Sequence, residues 1–146
     1  MQPQMRKPTP FIYKENKPFF DGTLKHELHI QRCKDCGKFY FYPRTACPHC
    51  LSENTEWVKA SGKGKVYSFT ICERPGSPPF AGDVPYNIAI IQLDEGVRMM
   101  SKVIDCENKD IKCDMPVEVV FKDDTPEYSL PYFKPAAKKE GQRIQH

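Results

Sequence analysis

The chain has 146 residues, 39% of them hydrophobic, with 14 prolines and 7 cysteines. That is enough for one ordinary domain or two small ones. Proline spread along the whole length excludes a helical bundle, because proline breaks helix interiors and central strands. The net charge of +3 conceals a split: residues 1–60 carry 10 Lys/Arg against 6 Asp/Glu, residues 61–133 carry 8 against 12, and residues 134–146 carry 4 against 1.

Nothing in the chain approaches the run of about 18 apolar residues that a membrane span needs. Residues 1–10 lack the apolar stretch of a signal peptide, so the cytoplasm is the expected compartment. An odd cysteine count argues against a secreted disulfide framework.

Residues 1–10 read as a polar, Pro-rich arm. A helix is expected over 11–26, where Phe20, Leu24 and Leu28 recur every four residues on one face, although Gly22 weakens it by about 1 kcal/mol. Glu27–Arg32 reads as a strand leading into Cys33-Lys34-Asp35-Cys36-Gly37, and a second pair follows at Cys47-Pro48-His49-Cys50. Two thiolates two residues apart can face one ion if the backbone turns tightly, which Gly37 permits and Pro48 stiffens. Four thiolates close a tetrahedral shell and leave no position for water, so one structural zinc is expected per chain, held by Cys33, Cys36, Cys47 and Cys50. Four cysteines also suit iron, and two redox dithiols are the remaining chemical option. His49, between ligands, reads as a solvated side chain.

Phe39-Tyr40-Phe41-Tyr42 supplies one strand of the metal segment and residues 54–59 the closing strand. These aromatics either cover a small core or form a docking surface, since alternation lets only half of them face inward. Arg32, Lys34, Lys38 and Arg44 surround the first Cys pair and read either as a solvated face or as an anion site.

After the turn Ser61–Gly64 the pattern becomes β. Lys65–Cys72 places Tyr67, Phe69 and Ile71 opposite Val66, Ser68 and Thr70. A loop over 73–83 follows. Tyr86–Leu93 is an apolar run, expected to be buried on both faces. Asp94-Glu95-Gly96 turns the chain into Val97–Ile104, Val117–Phe121 forms a fourth strand and Leu130–Phe133 a fifth. Five short strands suggest a small closed barrel. The expected divisions are 1–26 arm and helix, 27–60 metal ribbon, 61–133 barrel and 134–146 tail. Both ends, 1–10 and 134–146, are expected to be mobile alone and to dock on a partner. No Ser or Cys sits in a recognisable nucleophile motif with His, so no catalytic residue is expected.

Several segments together resemble the family known as domain of unknown function 35. They are Leu28-His29-Ile30-Gln31-Arg32-Cys33-x-x-Cys36-Gly37, Cys47-Pro48-x-Cys50, Gly62-x-Gly64-x-Val66-Tyr67-Ser68, Pro85-Tyr86-x-Ile88-Ala89-x-Ile91-x-Leu93-Asp94-Glu95-Gly96-Val97-Arg98, Met115-Pro116-Val117-x-Val119 and Pro131-x-Phe133. The resemblance covers roughly residues 15–135. It implies a mainly β chain: an N-terminal helix, a rubredoxin-like zinc ribbon and a five-stranded OB-fold barrel. It also implies an acyl-CoA-associated protein without a nucleophile of its own. Such proteins assemble with thiolases, with hydroxymethylglutaryl-CoA synthase or with enoyl-CoA hydratase-type subunits. A chain of this size looks like the small subunit of a two-component thiolase, such as the one cleaving benzoylsuccinyl-CoA in anaerobic toluene breakdown. The CoA thioester would be the substrate of the partner, a thiolase-type large subunit. For CoA phosphates the candidates are Arg32, Lys38 and Arg44, with Arg98 a weaker one because it alternates within a barrel strand. The competing reading, a single-stranded nucleic-acid module, needs a basic groove on the barrel. The barrel half is acidic, so no nucleic-acid partner is expected.

Overall fold

The computed structural model describes residues 9–123 and 126–136, which form one helix and eight strands in two antiparallel sheets. Most of both terminal arms, with their expected mobility and docking, lies outside the described residues.

Helix α1 spans Lys17–Leu24, shorter than the expected 11–26. Pro18 sits in its first turn, where a missing N–H costs nothing. Ahead of it the Asn16 side chain is spent on the preceding turn, accepting from Tyr13 N–H at 2.8 Å and donating to the Phe11 carbonyl at 2.9 Å. The buried face is Phe19, Gly22 and Thr23, not Phe20–Leu24–Leu28. Leu24 is 44% exposed, and Leu28 lies past the helix, fully buried on the approach to the next strand. Gly22 is a packing contact: a Cβ there would run into the His29 ring.

The ribbon is a three-stranded sheet of β1 (His29–Cys33), β2 (Phe39–Tyr40) and β3 (Thr55–Lys59), with β1 in the middle. The barrel follows in β4 (Lys63–Cys72), β5 (Tyr86–Leu93), β6 (Arg98–Ser101), β7 (Pro116–Lys122) and β8 (Leu130–Pro135), in sheet order β6-β5-β4-β7-β8. Its two edges meet just after β6. Val103 bridges Phe133 in parallel, Phe133 N–H donates to the Lys102 carbonyl at 3.0 Å, and Ile104 N–H donates to the Phe133 carbonyl at 2.7 Å. This contact joins the two edge strands of the sheet and covers part of each edge.

Two strand readings change. The register of β4 slips between Val66 and Ser68. The extra residue of this bulge shifts the inward face, so Val66 is buried, Tyr67 is 46% exposed, and Phe69 and Ile71 pack on the core. Strand β5 is buried on one face only. Asn87, Ala89, Ile91 and Leu93 point into the barrel, while Tyr86, Ile88, Ile90 and Gln92 lie on its partly covered outside. A closed barrel has an inside and an outside, and even an apolar strand must alternate.

A single apolar cluster joins Phe19 of α1, Leu28 and Ile30 of the ribbon side, and Val66, Ile91, Leu93, Val117 and Phe133 of the barrel. Where β4 crosses β5 the backbones touch: a Cβ on Gly64 would collide with the Gln92 carbonyl, whereas at Gly82 nothing lies within 4 Å. Gly64→Ala is therefore expected to cost about 2 kcal/mol and Gly82→Ala almost nothing. Urea midpoints of the two variants check this, and equal midpoints would refute it.

Candidate metal centre and basic cleft

The two Cys pairs fold on the same local plan. In the first, Cys33 N–H donates to the Lys38 carbonyl and Gly37 N–H to the Cys33 carbonyl, both at 2.9 Å. In the second, Cys47 N–H donates to the Ser52 carbonyl and Leu51 N–H to the Cys47 carbonyl, both at 2.8 Å. The fifth residue of each turn is left-handed, Gly37 at φ 76° and Leu51 at φ 66°. Gly37 takes this conformation freely, while Leu51 holds it at a cost of order 1 kcal/mol.

All four sulfurs lie within 4.8 Å of one another, with Cys33 Sγ to Cys50 Sγ at 3.5 Å and Cys36 Sγ to Cys47 Sγ at 3.7 Å. A zinc ion with bonds of about 2.3 Å holds thiolates about 3.8 Å apart, so the donor set fits the metal. Backbone amides point at the inner sulfurs, Cys36 N–H to Cys33 at 3.4 Å and His49 N–H to Cys47 at 3.3 Å. The Cys36 amide lowers the Cys33 thiol to about 7. Cys33 and Cys47 are fully buried, Cys36 and Cys50 exposed. His49 offers the cluster its backbone and not its ring.

Residues outside the Cys pattern hold this arrangement. The buried Gln31 side chain clasps Arg44, donating to its carbonyl at 2.9 Å and accepting its N–H at 2.8 Å, which pins the excursion between the turns. Asp35 ties the first turn to the closing strand by accepting from the Ser52 hydroxyl and from Asn54 Nδ2. Those two donors, Ser52 foremost, hold its carboxyl below the ordinary range. Neither residue was singled out from sequence, and for Gln31 the only signal is an amide at an inward strand position.

The aromatic run divides unevenly. Tyr40 is buried against Cys33 and Cys47, Phe41 meets Phe19 edge-on at 5.6 Å, and Tyr42 is 54% exposed with its hydroxyl accepting Met100 N–H at 3.3 Å. Strand β2 stops at Tyr40, so alternation does not carry through the run.

The candidate cations separate. Lys38 and Arg44 line a cleft of about 600 Å³ between the ribbon and the β5–β6 turn, and Arg98 joins them from the barrel side. Arg32 faces elsewhere, its guanidinium 3.4 Å from Glu56 and 5.9 Å from the centre of the Phe39 ring. An apolar cleft of about 460 Å³ shares Phe41 and Tyr42 with the basic one and continues between α1, β6 and β8. The 73–83 segment contains a single 3₁₀ stretch, Pro78–Asp83, and with β5 walls a third cleft of about 400 Å³.

Among the described residues no imidazole lies against a thiol or hydroxyl. His29 pairs with Glu27 at 3.0 Å and His26 with Asp123 at 2.9 Å. Ser129 also binds Asp123, so that carboxylate separates the hydroxyl from the ring and no nucleophile is activated. No helix among them is long and apolar enough to cross a membrane.

A four-cysteine ribbon packed on a five-stranded barrel is the architecture of a zinc ribbon joined to an OB-fold. Family models agree over both halves: residues 20–56 match the rubredoxin-like zinc ribbon domain of ChsH2, and residues 57–122 its C-terminal OB-fold domain. The chain belongs to the DUF35 family. It is similar to the DUF35 chain in the solved structure titled "Ltp2-ChsH2(DUF35) aldolase". The TM-score is 0.78 and the identity 34%, over 88% of this chain and 100% of that one. It is 34% identical over 139 residues to a probable enoyl-CoA hydratase alpha subunit of Thermomonospora curvata, covering 95% of this chain and 43% of that protein. It is also 34% identical over 103 residues to the benzoylsuccinyl-CoA thiolase subunit BbsA of Thauera aromatica, covering 68% of this chain and 65% of that one. The chain thus spans less than two thirds of the length of either of these two relatives.

Proposed function

We propose that this chain is a non-catalytic, cytoplasmic subunit of a thiolase-type acyl-CoA enzyme. It assembles with a large subunit in a hetero-oligomer and supports C–C bond cleavage or formation beside a CoA thioester, in the breakdown of aromatic compounds. The observation that carries this reading is the likeness to a benzoylsuccinyl-CoA thiolase subunit. The site chemistry is consistent with it. Thiolase chemistry needs a cysteine activated by a base, whereas the four clustered cysteines here suit a closed metal shell, and His26 and His29 pair with carboxylates. The catalytic groups then belong to the partner, and this chain contributes shape and charge.

The likeness to an enoyl-CoA hydratase subunit favours a second reading, in which the partner adds water across a double bond. Co-expression with a thiolase-type and with a hydratase-type large subunit separates the two. Co-purification with the thiolase-type chain is expected, with acyl-CoA cleavage present in the complex and absent from either chain alone. A large subunit fully active without this chain, or this chain turning over acyl-CoA alone, would end the proposal. A complex that only hydrates would establish the second reading.

A further inference from the structure

The third cleft, of about 400 Å³, belongs to the barrel alone. Four segments meet there. The β4–β5 connection brings Gly76 and Phe80, β5 brings Tyr86 and Ile88, Lys102 follows β6, and Tyr132 comes from β8. No clustered cysteine and no residue of the basic cleft lines it. The Pro78–Asp83 stretch, which carries Phe80, buries none of its six residues, so this flap covers the cleft without being packed into the core.

The polar groups of the wall are few. Lys102 is half-buried, and its ammonium has no ion pair or hydrogen bond among the described residues. The Tyr86 hydroxyl oxygen accepts Gly76 N–H at 3.1 Å, which leaves its proton to donate. The Ser77 hydroxyl can serve in either role. Asp83 also borders the cleft and already has a partner. A ligand therefore meets a charged donor and a phenolic donor. An ammonium drawn partly out of water without a counter-charge is costly, and a carboxylate satisfies it through a charge-assisted hydrogen bond. The rest of the wall asks for an apolar body. The Phe80 and Tyr86 rings stand 6.3 Å apart at 48°, with Ile88 and Tyr132 beside them. The volume falls inside the range of small-molecule sites.

We propose that this cleft binds the anion of a small carboxylic acid with a flat apolar body. Lys102 pairs with the carboxylate, Tyr86 donates its hydroxyl proton to it, and the ring packs among the aromatic side chains under the flap. A ligand held this way ties the β4–β5 connection to Lys102, whose carbonyl accepts Phe133 N–H at 3.0 Å where the barrel edges meet. Occupancy should therefore steady both the flap and that seam. The site stands apart from the subunit reading and does not rest on it.

The test titrates the zinc-loaded full chain with phenylacetate, its neutral amide phenylacetamide, and acetate, followed by amide NMR shifts. Phenylacetate is expected to saturate, moving the amides of Gly76, Ile88, Lys102 and Phe133 and leaving those of Lys38 and Arg98 in place. Phenylacetamide, which lacks the charge, and acetate, which lacks the ring, are each expected to bind about tenfold more weakly or worse. Lys102→Met is expected to weaken phenylacetate by about tenfold or more. Lys109→Met is expected to leave it unchanged, since that ammonium pairs with Glu107 at 3.0 Å. Circular dichroism and zinc content confirm that both variants are folded, and the comparison of the three ligands needs no variant. Four results overturn the inference: no saturable binding of phenylacetate, phenylacetamide or acetate binding as tightly, shifts that fall on the ribbon, or equal losses in Lys102→Met and Lys109→Met.

Discussion

Cys33→Ser is expected to abolish zinc binding and unfold the ribbon. Serine is not deprotonated at neutral pH and cannot replace a thiolate in the shell. Beyond the Gln31–Arg44 clasp and the Asp35 hydrogen bonds, little apolar packing holds this segment together. Its buried cluster is Cys33, Tyr40 and Cys47 alone, and β2 contributes two residues paired at Gln31↔Tyr40 and Arg32↔Phe39. A structural zinc supplies about 10–16 kcal/mol near neutral pH, and that binding energy is folding energy. Metal analysis should find one zinc per native chain and none in the variant. Hydrogen exchange should show residues 33–54 losing protection, while β5 and β7 keep theirs through the barrel core. Ribbon amides that stay protected without metal, or native protein that carries iron, would refute this.

The second large effect is expected inside the barrel, at Asn87→Leu. Asn87 is 3% exposed and acts as a bracket on the strand that closes the barrel. Its Oδ1 accepts Val103 N–H at 2.8 Å, and its Nδ2 donates to the Val103 carbonyl at 2.9 Å and to Asn108 Oδ1 at 3.2 Å. Leucine has nearly the same volume but leaves both Val103 backbone groups buried and unpaired. Each orphan costs about 1–3 kcal/mol, so a loss of roughly 3 kcal/mol is expected, out of a total stability of about 5–15 kcal/mol. Urea unfolding should show a lower midpoint at an unchanged slope. A midpoint equal to that of the unaltered chain would show that the bracket adds no stability.

The gathering of the four cysteines was legible because metal chemistry leaves few options: two thiolate pairs at fixed spacing can close only a small number of sites. The strands were legible where one face is buried, as in β7, and misread where local geometry departs from the period. A bulge after Val66 adds no distinctive residue, so strict alternation put Tyr67 on one face with Phe69 and Ile71. The helix was placed by its apolar spacing, although Asn16 and Pro18 already mark a later start. Gln31 and Asn87 were invisible for another reason. The value of a buried amide lies in a partner 13 or 16 residues away, and nothing local announces it. The separation of Arg32 from Lys38, Arg44 and Arg98 is likewise tertiary, since charge counts place cations on a half of the chain but not on a face.

The two family models meet between Glu56 and Trp57, and both residues lie inside β3. That strand pairs with β1 over five consecutive positions, from His29↔Lys59 to Cys33↔Thr55. A break at that junction would leave the ribbon with a truncated third strand and the barrel with a stub carrying Trp57 and Val58, both of which pack on the shared core. A cut at that junction therefore divides the ribbon sheet itself. A gene fusion or fission that preserves the ribbon must keep residues 29–59 uninterrupted, with its joint placed after Lys59 and not at Glu56.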